Sequence, residues 1–272
     1  MAVCSPQTRQ IAGEILAALN GRRQIGPITG MEPTFGPDDG QRVSHEITRR
    51  RIARGEIVVG RKIGFTNRTI WDEYGVHQPI WGPVYDRTLS MVLSPARGSI
   101  GHLVEPRIEP EIIFGFKAPV HAGMDERAIL GTIDWVAHGF EIVQSIFPGW
   151  RFQAADCIAA FGLHGHLFCG PKTSIEGDLD AWLHALSRFS ITLSRDGIDI
   201  DTGVAANVLG GPLSAIRHLA GVLAGDPEAS GIEAGEIITT GTVTRAFPVK
   251  AGETWSTRVE GLAVAPMTLT LS

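Results

Sequence analysis

Two glutamates spaced two residues apart, Glu109 and Glu111, interrupt the otherwise apolar run Arg107-Ile108-Glu109-Pro110-Glu111-Ile112-Ile113-Phe114. Read as a strand, the segment points residues i and i+2 the same way, roughly 6.5 Å apart along the chain, so both carboxylates can close on one centre. Bare carboxylates held together in an apolar wall repel each other and lose hydration, unless a proton, a hard divalent cation or a catalytic duty compensates. The alternative is that both acids line a solvated sheet face, which is common for such a pair in isolation. A third acid, Glu141, stands in a second largely apolar strand-like run, 133–143. Three glutamates on neighbouring strands suit Mg2+ or Mn2+, which take oxygen ligands in octahedral geometry and keep positions for water and substrate.

The elements that must position these acids can be read from periodicity. Ile11, Ile15, Leu16 and Leu19 fall at helical spacing and predict an amphipathic helix over 8–20, stopped by Gly21. After a Pro- and Gly-rich break at 26–40, Val43, Ile47 and Ile52 predict a second, polar helix. Residues 57–65 read as a strand carrying Lys62, and Thr66 or Asn67 can cap a short helix running to Tyr74. Beyond Glu141, 154–160 reads as a helix, 162–166 as a tight loop leading into Leu167-Phe168-Cys169, and Arg195-Asp196-Gly197 as a hairpin turn between 190–193 and 198–200. Leu213, Ile216, Leu219, Val222 and Leu223 mark another helix, and 236–244, 254–259 and 267–271 are strand candidates. Many strands, few helices and no regular alternation predict an α+β fold rather than a doubly wound sheet. The expected division is a small, mostly helical N-terminal region at 1–80 and a β-rich catalytic core at 81–272. No P-loop or dinucleotide fingerprint is present, and Gly210-Gly211-Pro212 reads as a turn before a helix.

Composition bounds the rest. At 272 residues, 43% hydrophobic and 19% charged, the chain can build one large domain, or one plus a small appendage. A net charge of -5 and the lack of a lysine-rich stretch argue against nucleic acid as a partner. The one basic run, Arg49-Arg50-Arg51, reads as a solvated helix face. Cys4, Cys157 and Cys169 are odd in number and lack C-x-x-C spacing, so a reducing cytoplasm is expected, without disulfides or a zinc knuckle. No apolar run approaches bilayer-spanning length and no export signal opens the sequence, so the expectation is no membrane association.

Gly60-Arg61-Lys62-Ile63-Gly64-Phe65-Thr66, Gly75-Val76 with Pro79, Glu109-Pro110-Glu111, Phe140-Glu141-Ile142-Val143, Ala155-Asp156-Cys157-Ile158-Ala159 and Ala234-Gly235-Glu236 follow one another along nearly the whole chain. In order and spacing they resemble the 2-oxopent-4-enoate hydratases and 4-oxalocrotonate decarboxylases of the fumarylacetoacetate hydrolase superfamily. The resemblance implies a mixed β-sheet roll or barrel behind a small helical N-terminal region, Mg2+ or Mn2+ on Glu109, Glu111 and Glu141, Lys62 in the active site, and a homo-oligomer. Charge counting agrees: three glutamates and a divalent cation sum to about minus one, which one buried ammonium balances.

The implied chemistry acts on a small-molecule 2-oxo or 2-hydroxydienoic acid, in the breakdown of aromatic compounds. Hydration of a 2-hydroxy-2,4-dienoate to a 4-hydroxy-2-oxoalkanoate comes first. Decarboxylation of a 4-oxalocrotonate-like acid, C–C hydrolysis of an acylpyruvate, and a non-catalytic role beside an active paralogue follow as alternatives. Lys62 either moves a proton, with its pKa lowered by burial, or stays charged and holds substrate. Where the family often carries an acid, this chain has Ile80, which cannot shuttle a proton. His164 stands where small polar residues are common, as a substrate hydrogen-bonder or general acid/base, or else as a packed histidine. Asp156 orients a water or the following loop, or is a helix-turn carboxylate. Trp71, Trp81 and Tyr85 are expected to add aromatic bulk near the Lys62 strand, with Trp81 and Tyr85 contacting a larger or more apolar substrate tail.

Overall fold

The computed structural model of the chain describes residues 5–68, 71–74 and 76–272, and all of their side chains except those of residues 73 and 74. Cys4 and Gly75, singled out above, lie outside that set. The helices are α1 (Pro6–Asn20), α2 (Ile28–Met31), α3 (Pro37–Ala53), α4 (Trp71–Tyr74), α5 (Glu126–Thr132), α6 (Ala154–Ala159), α7 (Leu179–Arg188) and α8 (Pro212–Ala224). The strands are β1 (Val58–Gly64), β2 (Ile80–Tyr85), β3 (Leu89–Met91), β4 (Ala96–Gly98), β5 (Arg107–Phe116), β6 (Ile133–Val143) and β7 (His164–Cys169). They continue as β8 (Thr173–Ser174), β9 (Ser190–Arg195), β10 (Ile198–Val204), β11 (Ile237–Thr242), β12 (Phe247–Pro248), β13 (Thr254–Glu260) and β14 (Thr268–Leu271).

Among the described residues the strands form two sheets. One has nine strands, in the order β2-β1-β11-β5-β6-β7-β3, with β12 on β5 and β8 on β6; the other has the order β10-β9-β13-β14-β4. Parallel pairs (β1 with β11, β3 with β7, β4 with β14) mix with antiparallel ones, unlike the parallel sheet of a doubly wound fold. The strand period of two divides the faces of β5 and β6. Ile112, Phe114 and Val136 enter the core formed with α5, α7 and α8, while Ile108, Phe140 and Ile142 pack on Trp255, Met267 and Leu269 of the second sheet. The opposite face carries Glu109, Glu111 and Glu141, followed by Ile113 and Ala137.

Helix α1 starts at Pro6 with Ser5 Oγ accepting from Thr8 N at 3.0 Å, and buries Ile11, Ile15 and Leu16. Helix α3 has Asp39 closing back on Gly36 N at 3.0 Å and buries Val43 and Ile47. These side chains form one cluster with Phe147, Cys157, Ile158 and Phe161. Gly40 makes the approach possible, because a Cβ there would lie 2.5 Å from Ala155 O. Within the expected 1–80 region, α1–α3 span 6–53 and α4 lies at 71–74, while β1, at 58–64, hydrogen-bonds inside the main sheet between β2 and β11. No helix among the described residues is long and apolar enough to cross a membrane.

Several elements differ from expectation. The segment expected as a loop at 162–166 is strand from His164 onward, since His164 pairs with Val143 and His166 with Ile142. Strand β2, with Gly82-Pro83 at its middle, is fully buried, and α7, capped by Asp178, packs Leu186 into the core. Arg51 leaves the solvated face read for its run: its guanidinium lies 3.7 Å from the centroid of the Tyr85 ring and pairs with Glu56 at 2.6 Å.

On β7, His166 Nε2 is 2.9 Å from Ser90 Oγ of β3, and its ring meets that of His102 at 6.4 Å. Burial first, then the neighbouring His164 and His102, lowers its pKa to about 4. Unfolded, it titrates near ~6.5. As pH falls the unfolded chain therefore gains this proton first, so the stability associated with neutral His166 is full above pH ~6.5 and is lost toward pH ~4, by on the order of 3 kcal/mol. Urea midpoints at pH 7 and 4.5 should show this loss in the wild-type chain and a flatter dependence in His166→Gln; equal slopes would rule it out.

Candidate active site

The antiparallel register of β5 and β6 sets Glu109 directly opposite Glu141 and Glu111 opposite Gly139. Directly opposed residues share a face, so all three carboxylates point to one side. Their oxygens come within 4.8 Å of one another; Glu111 and Glu141 are buried and Glu109 is half-buried. Opposite Glu111 a side chain is impossible, because a Cβ on Gly139 would lie 2.3 Å from Phe168 O.

Each acid is held differently. Glu111 Oε2 accepts from Gly241 N at 2.8 Å and from the Thr239 hydroxyl, both on β11. Its backbone carbonyl is 2.9 Å from His138 Nδ1, and the other nitrogen of that ring is 2.9 Å from Thr257 Oγ1 of the second sheet. Glu141 Oε1 is 2.7 Å from His164 Nδ1; a carboxylate only accepts, so Nδ1 carries the hydrogen, and Nε2 faces Thr88 Oγ1 at 2.9 Å. Lys62 reaches in from β1, with Nζ 3.2 Å from Glu141 Oε2 and donating to Gly162 O at 3.1 Å. Among the described residues, two buried oxygens, Glu111 Oε1 and Glu141 Oε2, accept no hydrogen bond.

The electrostatics follow from crowding. Burial raises the Glu109 pKa to about 7; Lys62 opposes this and Glu141 adds to it. Burial, then the charges of Glu141 and Glu109, raises Glu111 well above the usual range. Glu141 is pulled below its ordinary value, burial being outweighed by Lys62 and His164. For Lys62, burial works against the charge but Glu141, Glu109 and Glu111 together lift its pKa, so it is an ammonium here rather than a base tuned to neutrality.

A cavity of about 390 Å³ opens onto this cluster, bordered by Lys62 and Glu109 and by Phe65, Ile80, Arg107, Trp150, Phe152, Cys157 and Leu163 among others. Four of the expected residues stand outside its wall. Trp81 and Tyr85 do not border it. Lys62 pairs with Gly82, whereas Trp81 pairs with Ile63 and faces the other way, its ring 5.5 Å from the Arg61 guanidinium and 5.9 Å from His45. The Tyr85 hydroxyl donates to Thr48 Oγ1 at 3.2 Å. Asp156 is fully buried and its oxygens accept from Thr29 N, Thr29 Oγ1 and Gln153 N at 2.7–3.0 Å, joining α6 to α2 away from the cavity. His164 is spent on Glu141 and Thr88 and is absent from the cavity wall. Sequence reasoning passed over Thr239 and Gly241, which hold Glu111, and Phe65, Trp150 and Phe152, which shape the cavity.

The Lys62–Glu141 contact is a buried pair inside an excess of negative charge, so removing the ammonium leaves uncompensated acids. With metal chelated at pH 8, Lys62→Met should lower unfolding free energy by about 3 kcal/mol in urea. The deficit should shrink at pH 5.5, where protons neutralise carboxylates instead; an unchanged midpoint at pH 8 would remove Lys62 from the cluster.

No protein-family model matches the chain. Curated relatives do: the 2-hydroxyhexa-2,4-dienoate hydratase of Comamonas testosteroni is 30% identical over 256 residues, covering 93% of this chain and 94% of its own length. The 4-oxalocrotonate decarboxylase of Pseudomonas sp. (strain CF600) is 32% identical over 242 residues, 88% of this chain and 87% of the relative. A solved structure of 4-oxalocrotonate decarboxylase from Pseudomonas putida G7, complexed with magnesium and adipate, superposes with a TM-score of 0.89 at 28% identity, over 98% of this chain and 97% of that one. With relatives of 30% identity or more matching over nearly the whole length of both chains, this chain belongs to the 2-oxopent-4-enoate hydratase and 4-oxalocrotonate decarboxylase family.

Proposed function

We propose that this chain is a Mg2+- or Mn2+-dependent lyase that hydrates a 2-hydroxy-2,4-dienoate to a 4-hydroxy-2-oxoalkanoate in the breakdown of aromatic compounds. The observation that carries the reading is the closure of three carboxylates to within 4.8 Å at a cavity that also holds a buried lysine. The donor set fits a hard divalent cation: all oxygen, with Glu111 Oε1 buried and accepting no hydrogen bond and Glu141 Oε2 buried against the Lys62 ammonium. Glu109, Glu111 and Glu141 would hold it, and when bound it supplies Lewis-acid stabilisation of negative charge on the 2-oxygen of substrate.

The remaining chemistry falls to side chains at the cavity. Burial pushes the Cys157 thiol up to about 12, and the lining arginines stay charged, which leaves Lys62 and Glu109 for proton traffic. Lys62 Nζ gives a proton to C5 of the 2-hydroxydienoate as the 2-hydroxyl gives up its own, which returns to Nζ, producing the 2-oxo-3-enoate. Water then adds across C3 and C4, its oxygen to C4 and a proton to C3. His164 acts through Glu141: by occupying Oε1 it fixes the carboxylate and leaves Oε2 turned toward Lys62 and the cluster.

A second reading, decarboxylation of a 4-oxalocrotonate-like acid, is favoured by the 32% identity to the strain CF600 enzyme. There the same enolate accepts electrons as a carboxylate leaves as CO2. A cytoplasmic location and a homo-oligomer belong to this proposal. The free, buried thiols of Cys157 and Cys169 support the first, and exposed Met91 and Leu93 at the edge strand β3 support the second.

Purified chain with Mg2+ or Mn2+ should consume 2-hydroxypenta-2,4-dienoate or an alkyl homologue with loss of its ultraviolet absorbance and a mass gain of one water; CO2 release from 4-oxalocrotonate would select the second reading. Glu111→Gln should reduce turnover by about 100-fold or more. His164→Gln should weaken Mn2+ binding, read by electron paramagnetic resonance without substrate, by about 10–100-fold. Unchanged Mn2+ affinity in both variants would end the metal assignment.

A further inference from the structure

The cavity wall carries backbone strain where it is apolar. Phe65, Trp150 and Leu163 all border it, and all three sit at positive φ, +53°, +60° and +61°, where large side chains rarely occur. They are three of only eight such non-glycine residues among the described ones. Such conformations persist where surrounding structure overrides them and where the side chain's direction matters. Here the surroundings do so visibly: Trp71 Nε1 donates to Phe65 O at 2.7 Å, Trp150 Nε1 donates to Glu105 O at 3.0 Å, and Gln144 N donates to Leu163 O at 2.9 Å. Phe152, whose ring lies 6.2 Å from that of Trp150, and Ile80 complete the apolar lining.

The space exceeds what a five-carbon dienoate needs. At about 390 Å³ it falls within the range of about 300–1,000 Å³ that encloses drug-sized ligands. The two guanidiniums on its wall each lie against an aromatic ring. Arg107 stacks 4.2 Å from the Trp150 centroid and its charge bears on Glu109; Arg245 pairs with Asp201 at 3.2 Å and lies over Phe247.

We propose that Phe65, Ile80, Trp150, Phe152 and Leu163 form a tail-binding pocket that selects 2-hydroxy-2,4-dienoates bearing a bulky apolar group, aryl or branched alkyl, at C5. This rests on the lyase reading above and narrows its substrate class. An apolar group filling such a pocket gains roughly 10–200-fold in kcat/KM per methylene-scale step, and an aryl ring spans several.

The test compares kcat/KM for 2-hydroxypenta-2,4-dienoate, its 5-phenyl and 5-isopropyl derivatives, and 4-oxalocrotonate, in the wild type and in Phe152→Ala and Ile80→Asp. A ratio of 5-phenyl to parent of about tenfold or more, falling toward one in both variants, is the expected result. Because the ratio is taken within one protein, a general loss of folded enzyme cancels. Preference for the parent dienoate or for 4-oxalocrotonate would overturn the tail pocket while leaving the lyase reading in place. Inertness toward every substrate would instead refute the lyase reading. In that event, calorimetry with Mn2+ and 4-phenyl-2-oxobutanoate against 2-oxobutanoate still decides the pocket: tighter binding of the phenyl acid, reduced in Phe152→Ala, supports it, and equal binding refutes it.

Discussion

Like charge crowded into a dry place is the constraint around which the chain is built. Glu109 and Glu141 are cross-strand neighbours, and Glu111 is one pleat further along the same face. Directly opposed like charges destabilise a sheet even when solvated, and burial multiplies the penalty. The chain answers with fixed partners rather than with water. Thr239 and Gly241 hold Glu111, His164 holds Glu141, and the Lys62 ammonium sits against the remaining oxygen. With Glu111 Oε1 accepting no hydrogen bond and Glu141 Oε2 met by the Lys62 charge, these partners leave the cluster incomplete in a way that one divalent cation resolves.

That requirement explains the unusual strand order. Lys62 must arrive beside acids that lie more than forty residues downstream, and β1 does so by pairing in parallel with β11, which itself pairs with β5. Strand β11 thus brings both the donors to Glu111 and the strand that carries the counter-charge. The opposite face of β5 and β6 can then be largely apolar, packed on α5, α7 and α8 and on the second sheet. His138 passes through that face as a strut from the Glu111 carbonyl to Thr257, and burial, against the opposing pull of that hydrogen bond, lowers its pKa to about 4, a neutral ring suited to two fixed contacts.

How much of this could be read beforehand depended on whether a local period encoded it. The alternation around Glu109 and Glu111 and the apolar run ending at Val143 gave the two central strands and their acids, because period two assigns faces without knowledge of partners. The α1, α3 and α8 helices were equally legible from 3.6-residue spacing. Proximity along the chain misled for Trp81 and Tyr85: closeness to Lys62 said nothing about which face of β2 each would occupy, and the pairing of Gly82 with Lys62 turned Trp81 away. His164 and Asp156 have the residue types of acid/base groups, yet their partners, Glu141 and Thr29, lie 23 and 127 residues away. Positive φ at Phe65, Trp150 and Leu163 leaves no trace in composition, so the cavity wall was invisible.

The short segment from Phe161 to His164 ties these parts together. Phe161 packs with the N-terminal helices, Gly162 presents its carbonyl to Lys62, Leu163 borders the cavity, and His164 turns the other way onto Glu141. Four consecutive residues therefore touch the helical layer, the counter-charge, the apolar wall and an acid of the cluster. Its room is limited, since a Cβ on Gly82 would come within 2.0 Å of Phe161 O and one on Gly162 within 2.8 Å of the Lys62 stem. Packed interiors of this kind yield by switching arrangement rather than by bending smoothly. A substrate tail pressing on Leu163 would act on the same backbone that sets Lys62 and Glu141, which gives the fold a physical route by which the shape of the far end of a substrate bears on the charge balance where its 2-oxygen reacts.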